Sequence, residues 1–254
     1  MKLTFLGTGG GRINLIKQIR ATGGICISGP KNIHIDPGPG ALVRMRNKGM
    51  DPLKTDIMVV THSHIDHIGD AGVLIEGMSH YALKKKGTLI ASEDALGGEI
   101  KGQKISGFHL SRLETVVRAK PGETFEFEGG KISFKKAVHD DFPAFGFVLE
   151  MGGKKIGYTG DTEYFEEMPE EYAGCDLLII NVMKPFADEY KGHLTAEDAS
   201  KLIGRVQPKL AILTHMGLKM LRYPAEKRAS EVEAETGVRV IAAEDGMEIG
   251  ESEF

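Results

Sequence analysis

The chain opens with short apolar or alternating runs at residues 3–6, 24–27 and 33–35, each bounded by Gly, Pro or Asn, and these predict strands. Residues 41–48 predict a short helix. Residues 56–60 are almost wholly apolar, as a strand covered on both faces should be. That run leads straight into Thr61-His62-Ser63-His64-Ile65-Asp66-His67. A helix is expected over 69–86 and a strand over 88–91. Alternation over 124–128 and 131–135 about Gly129-Gly130 predicts a hairpin, and 146–151 with 155–158 about Gly152-Gly153 predicts another. The last third changes rhythm: strands at 176–182, 209–214 and 238–242 are separated by helices at 196–205 and 225–236. Hairpins combined with β-α-β units predict an α/β protein of two mixed sheets with helices outside, a four-layer αββα arrangement. One domain is expected over 1–254, with no linker and no low-complexity segment. Residues 92–122, with Gly97, Gly98, Gly102 and Gly107, are the least regular and predict a loop or insertion over the site.

Composition narrows the function classes. Apolar residues make up 41% and charged residues 27%, as in an ordinary globular protein. A formal net charge of −4 argues against a basic nucleic-acid binder, so RNA is not the favoured partner. Lys84-Lys85-Lys86, the densest basic run, reads as a solvated helix end. Cys26 and Cys175 lie in apolar segments and read as small buried hydrophobes, in keeping with a reducing, cytoplasmic setting. No apolar stretch has the length of a signal peptide or a membrane span, which points to a soluble molecule as partner.

The chemistry is concentrated after the 56–60 strand. Residues two apart in extended chain point the same way, so His62 and His64 can reach one ion. A turn after them would aim Asp66 and His67 at a neighbouring position. A single His after a strand is ordinarily just a polar residue, but three His and an Asp within six positions are hard to explain so. His139, Asp161 and His215 also follow strand-like runs, as a site assembled on rigid elements requires. Imidazole and carboxylate suit zinc, and manganese or iron equally in kind. The glycine run 7–11 lacks both the third Gly of a Rossmann loop, where Arg12 stands, and the Gly-Lys-Ser/Thr of a P-loop. It reads as a turn after the first strand that lines the site.

The sequence His62-Ser63-His64-Ile65-Asp66-His67, followed in order by His139, by Asp161 in a Gly-Asp-Thr turn and by His215, closely resembles the metallo-β-lactamase superfamily. The resemblance runs from Leu6-Gly7-Thr8-Gly9 to the last strand. It implies the αββα sandwich and two divalent metal ions, zinc before manganese or iron. His62, His64 and His139 would hold one ion, Asp66, His67 and His215 the other, and Asp161 would bridge them. Asp36, before Pro37, matches a recurrent Asp of the family. It is read as orienting a ligand imidazole or, equally, as a plain turn residue. Two ions about 3.5–4 Å apart can share a water whose pKa falls to about 7, so the expected chemistry is hydrolysis by a metal-bridging hydroxide.

Gly192-His193-Leu194-Thr195 resembles the His-x-Thr motif of ribonuclease Z and related phosphodiesterases, where the matching His assists the phosphate and donates a proton. The implied function is a phosphodiesterase with His193 as general acid and Asp66 beside the water, acting on a nucleotide or small cyclic phosphodiester. Thr195 with Asp198 also makes a capping box, and Thr195 is read first as a cap. Two features depart from ribonuclease Z: no Gly/Pro-rich arm is found, and Ile180-Asn181-Val182 stands where a His-Glu pair is typical. The alternative is a hydrolase acting at carbonyl carbon, a thioesterase, lactonase or β-lactamase. A non-catalytic binding scaffold is a third reading, opposed by the full ligand set. The resemblance is compatible with a homodimer. His34 reads as packed in its strand, His80 as lying near a helix end and His109 as surface. The stretch 140–145 reads either as an aromatic wall of the pocket or as core packing.

Overall fold

The computed structural model describes residues 1–97, 104–139, 143–186 and 191–254. In the first sheet, β1 (Lys2–Phe5), β2 (Ile25–Ser28), β3 (Ile33–Ile35), β4 (Ile57–Val60), β5 (Thr88–Ala91) and β6 (Thr115–Arg118) lie side by side in chain order. The first three pair antiparallel, and β3 to β6 are parallel. Among them run α1 (Arg12–Lys17), α2 (Ala41–Asn47), α3 (Ile65–Ile68), α4 (Ala71–Met78) and α5 (Gly107–Ser111). The second sheet begins as an antiparallel meander of β7 (Thr124–Phe127), β8 (Gly130–Lys136), β9 (Phe145–Met151) and β10 (Lys154–Tyr158). It continues in parallel through β11 (Leu177–Lys184), β13 (Leu210–Thr214) and β14 (Arg239–Ala242), with the short β12 (Leu194–Thr195) beside the end of β11. Helices α6 (Met168–Glu171), α7 (Ala196–Val206), α8 (Leu218–Arg222) and α9 (Ala225–Thr236) accompany this half, and β15 (Glu248–Gly250) returns to pair with β1.

The period-2 rule explains why almost every central strand position is apolar. On β4, Ile57 and Val59 face the second sheet, while Met58 and Val60 pack with Met45, Leu74, Ile75 and Met78 of α2 and α4. On β11, Leu177 and Ile179 face inward, while Leu178, Ile180 and Val182 pack beneath Leu202, Ile203 and Val232 of α7 and α9. A central cluster therefore lies between the sheets and another lies under each helical layer. These are the two mixed sheets with flanking helices that the sequence predicts. Cys26 and Cys175 are buried free thiols in different outer clusters. Among the described residues no helix is long and apolar enough to cross a membrane.

Several expectations change. The helix expected over 69–86 is confined to α4, with the separate α3 before it, and the chain then takes three left-handed residues, His80, Tyr81 and Ala82. Lys84, Lys85 and Lys86 consequently sit in a turn and the chain that follows it. The first hairpin turns at Glu128-Gly129, one residue early, because Gly130 pairs with Phe127. The second turns at Gly152-Gly153 as expected, both at positive φ. Part of the irregular stretch 92–122 is ordered as α5 and β6, and His109 of α5 bonds Glu76 of α4 at 3.2 Å. That places α5 on the outer helical layer, not over the site; Gly98 and Gly102 lie outside the described residues. Asp140, Asp141 and Phe142 do too, whereas Phe145 is core, edge-on to Phe134 at 5.5 Å.

Candidate metal centre

Five connections that leave the carboxyl ends of strands converge at one edge of the sandwich. They follow β3 (Asp36), β4 (61–67), β8 (137–139), β10 (159–161) and β13 (His215). Beyond β4 the chain bends at His62 and is extended at His64, the residue that precedes α3, and this puts Asp66 and His67 in that short helix. The connection is pinned from both sides. Asp36 accepts from Thr61 N at 2.7 Å and from Thr61 Oγ1 at 2.8 Å, and Asp94 accepts from Ser63 N at 3.2 Å. The connection after β8 is tied to the β10 turn by Val138 N donating to Thr162 Oγ1 and Glu163 N donating to Val138 O. Gly10 lies so close to His215 that a Cβ there would stand 2.2 Å from the ring, which requires glycine.

His64 Nδ1 lies 3.0 Å from His62 Nε2 and 3.1 Å from His139 Nε2. One proton cannot satisfy all three nitrogens, but ligands that each sit about 2.0–2.1 Å from a common ion are spaced this way. Beside them, His67 Nε2 and His215 Nε2 are 3.0 Å apart, and Asp66 Oδ2 is 3.4 Å from His215 Nε2. Asp161 Oδ2 stands between the two groups, 3.9 Å from His62 Nε2 and 3.4 Å from both His67 Nε2 and His215 Nε2. His62, His64 and His139 are thus close enough to share one ion, as are Asp66, His67 and His215. The seven residues expected from sequence all meet at this edge. His193 joins them: its Nδ1 is 3.5 Å from Asp161 Oδ2, and its ring centroid is 4.9 Å from that of His139. His139, Asp161 and His193 are also close enough to share an ion.

The electrostatics favour a cation. Burial and the neighbouring imidazoles push the His62 pKa well down, and burial with His139 lowers that of His64, so both offer lone pairs at neutral pH. Burial opposes ionisation of Asp161, yet His215, His67 and His193 outweigh it and hold the carboxyl far below its usual range. Asp66 is depressed in the same way by His67 and His215. Burial likewise disfavours charge on His67, but Asp161, Asp36 and Asp66 together raise its pKa well above the ordinary value. The carboxylates thus draw positive charge to this position, whether as a proton or as a metal ion.

The residues that orient the imidazoles were only partly visible in the sequence. Asp36, left open there between orienting residue and turn residue, accepts from His67 Nδ1 at 3.0 Å and from Tyr158 OH at 2.9 Å. His139 Nδ1 donates to Gly192 O at 2.7 Å, and Gly192 N donates to Glu163 at 2.6 Å. Gly11 N donates to Asp66 Oδ2 at 3.0 Å. Asn181 Nδ2 donates to Asp161 Oδ1 at 2.7 Å and to Tyr158 OH at 3.1 Å. Asp94, Tyr158, Glu163 and Asn181 went unrecognised in the sequence. Asn181 alone carried a signal, a polar residue inside a strand buried along its whole length. Asp36 and His215 both hold left-handed backbone, φ 49° and 56°, a strain of order 1–3 kcal/mol each of the kind that gathers at functional sites. Thr195 caps α7, its Oγ1 and the Asp198 carboxylate forming the expected reciprocal box.

The profile of the β-lactamase superfamily domain matches residues 31–216. An uncharacterised protein of Methanocaldococcus jannaschii is 34% identical over 253 residues, 98% of this chain and 94% of its own. A metal-dependent hydrolase of Thermus thermophilus is 32% identical over 66% of this chain and 68% of its own. A ribonuclease Z of Pyrobaculum calidifontis is 26% identical over 92% of each chain. Among solved structures, the metallo-β-lactamase fold protein YhfI from Bacillus subtilis superposes with a TM-score of 0.74 at 20% identity over 98% of both chains. A diphosphatase of the PhnP family superposes at 0.70 and 18% identity, over 98% of this chain and 96% of its own.

Proposed function

Because the chain belongs to the β-lactamase superfamily and is a metal-dependent hydrolase, we propose that it is a dinuclear phosphodiesterase acting on a small or nucleotide phosphodiester. In this reading His62, His64 and His139 hold one ion, Asp66, His67 and His215 hold the second, and Asp161 Oδ2 reaches both. The nitrogen-rich first set and the mixed second set suit zinc, with manganese or iron as alternatives. Bound ions would supply an ionised water at neutral pH and neutralise charge on the substrate's phosphoryl oxygens.

The chain's own residues supply the rest. Asp66, held by Gly11 N–H, orients the attacking water. His193 gives its proton to the leaving oxygen, a general-acid role that an imidazolium can fill. Asp161 Oδ2 lies 3.5 Å from His193 Nδ1, within ion-pair distance of the protonated ring. The position of His193 carries the proposal: a second-half histidine with no place in either three-residue set stands against the bridging carboxylate. A phosphodiester needs a donor there, because its leaving alkoxide must be protonated. The likeness to a ribonuclease Z over most of both chains supports the same chemistry, while the net charge of −4 favours a small substrate over a large RNA.

Metal analysis paired with hydrolysis of bis(p-nitrophenyl) phosphate, cyclic nucleotides, precursor tRNA, thioesters and lactones tests this. On phosphodiesters that leave as an alkoxide, His193→Ala is expected to lower turnover by 10²–10⁴-fold with two ions still bound per chain, and on bis(p-nitrophenyl) phosphate by much less. Loss of an ion in that variant would make His193 a ligand. Unchanged turnover of a thioester or lactone, with no phosphodiesterase activity in the wild type, would move the reaction to carbonyl carbon.

A further inference from the structure

Three of the histidines at the centre follow one rule. Each gives one ring nitrogen to a fixed protein oxygen and turns the other toward the shared point. His67 Nδ1 donates to Asp36, and His139 Nδ1 donates to Gly192 O. His62 Nδ1 lies 3.2 Å from Thr61 Oγ1, which spends its own proton on Asp36 and so accepts. His215 breaks the rule. Its Nε2 faces the shared point, but its Nδ1 is buried and bonds to no group among the described residues. An imidazole N–H left so in a protein interior costs about 1–3 kcal/mol.

Asn181 presents the complementary orphan. Its Nδ2 spends both hydrogens, on Asp161 Oδ1 and Tyr158 OH, which fixes the orientation of the amide because a carboxylate only accepts. Its Oδ1 is then buried with no bonded partner among the described residues. His215 and Asn181 both line one small cavity, whose wall also includes Asp36, Tyr158, Thr22 and Thr214. It offers about 20 Å³ to a water molecule, and roughly 10–15 Å³ suffices for one.

We infer that a single ordered water in this cavity accepts from His215 Nδ1–H and donates to Asn181 Oδ1, so that Asn181 is the positioning residue of the second ion's ligands. The inference rests on the two-ion reading above. The water completes the rule for His215 by fixing its tautomer with Nε2 bare. Asn181 then reaches three ligands at once: Asp161 directly, His215 through the water, and His67 through Tyr158 and Asp36. Thr22 and Thr214, polar residues of the same wall, give the cavity a lining that suits water. No atom of this arrangement touches substrate, so the effect falls on metal affinity and ring orientation.

Crystals of the wild type, with and without zinc, test the water itself. Density within hydrogen-bond distance of both His215 Nδ1 and Asn181 Oδ1 is expected, and its absence, or a protein group bonded to His215 Nδ1, would overturn the inference. Histidine-selective ¹⁵N spectra should show His215 protonated at Nδ1. In Asn181→Leu, competition titration should show the second ion bound roughly 10–100-fold more weakly, and the first weakened less because it shares only Asp161 with that network. A second ion bound as tightly as in the wild type, or the two ions weakened alike, would also overturn it. Fewer than two ions on the wild type would instead refute the dinuclear reading, while the water and the His215 tautomer stay readable without metal.

Discussion

At the scale of single residues, ligand types were legible because coordination chemistry restricts them and strand exits space them. Asp66, the histidines and Asp161 could all be named from sequence. Their supports, Asp36 apart, were not, since a Tyr, an Asn or a glycine carbonyl looks the same whether or not it faces a ligand. His34 illustrates a residue whose packed role was legible and whose energetic role was not. It is buried with Nε2 3.0 Å from Gly23 O, and burial depresses its pKa to about 4 despite that bond and the charge of Asp36. The folded state therefore refuses a proton that the unfolded chain accepts near pH 6.5. His34 contributes its full stability above that pH and loses it as the pH falls toward 4, about 3 kcal/mol in all. Urea unfolding between pH 7 and 4 should show this loss, and His34→Gln, which keeps a donor for Gly23 O, should lose less. Parallel pH profiles for the two proteins would rule out the assignment.

At the scale of elements, the strands were the most legible part, because burial on both faces leaves an unbroken apolar run and the hairpins announce themselves by paired glycines. The helices were less so. The helix expected over 69–86 ends at Met78, since an apolar run does not reveal where the backbone turns left-handed at His80. Helix α1 was missed because its sequence, RINLIK, leaves Ile13 and Ile16 exposed and so carries no one-sided pattern. Helix α7 was read correctly, start included. Its capping box has Thr195 Oγ1 accepting from Asp198 N at 3.2 Å and Asp198 Oδ2 accepting from Thr195 N at 3.2 Å. Thr195→Ala should destabilise the protein by about 1 kcal/mol, read in a denaturant melt, while turnover per folded molecule stays close to wild type. A large loss of turnover with stability intact would mean that Thr195 serves the reaction and not the helix.

At the scale of the whole molecule, αββα architecture was legible from the change of rhythm between hairpins and β-α-β units, but the closing of the chain was not. The strand β15 that follows the expected last one pairs with β1, and Asp245 holds the backbone of Thr8 and Ala21. Ions bound to this fold and not to the unfolded chain should stabilise it by about 2.7 kcal/mol per site at a hundredfold excess over the dissociation constant. For a chain of this size that is a rise of roughly 5–10 °C in melting temperature. Chelation should remove the rise and added zinc should restore it; a melting temperature indifferent to both would remove the metal from the account. The first sheet delivers His62, His64, Asp66 and His67, whereas His139, Asp161 and His215 arrive from the second. Neither half alone can grip an ion with more than a partial set. A coloured ion such as cobalt, added to refolding protein, should therefore develop its four-coordinate absorption only when the halves dock, making the metal a clock for the last step of assembly.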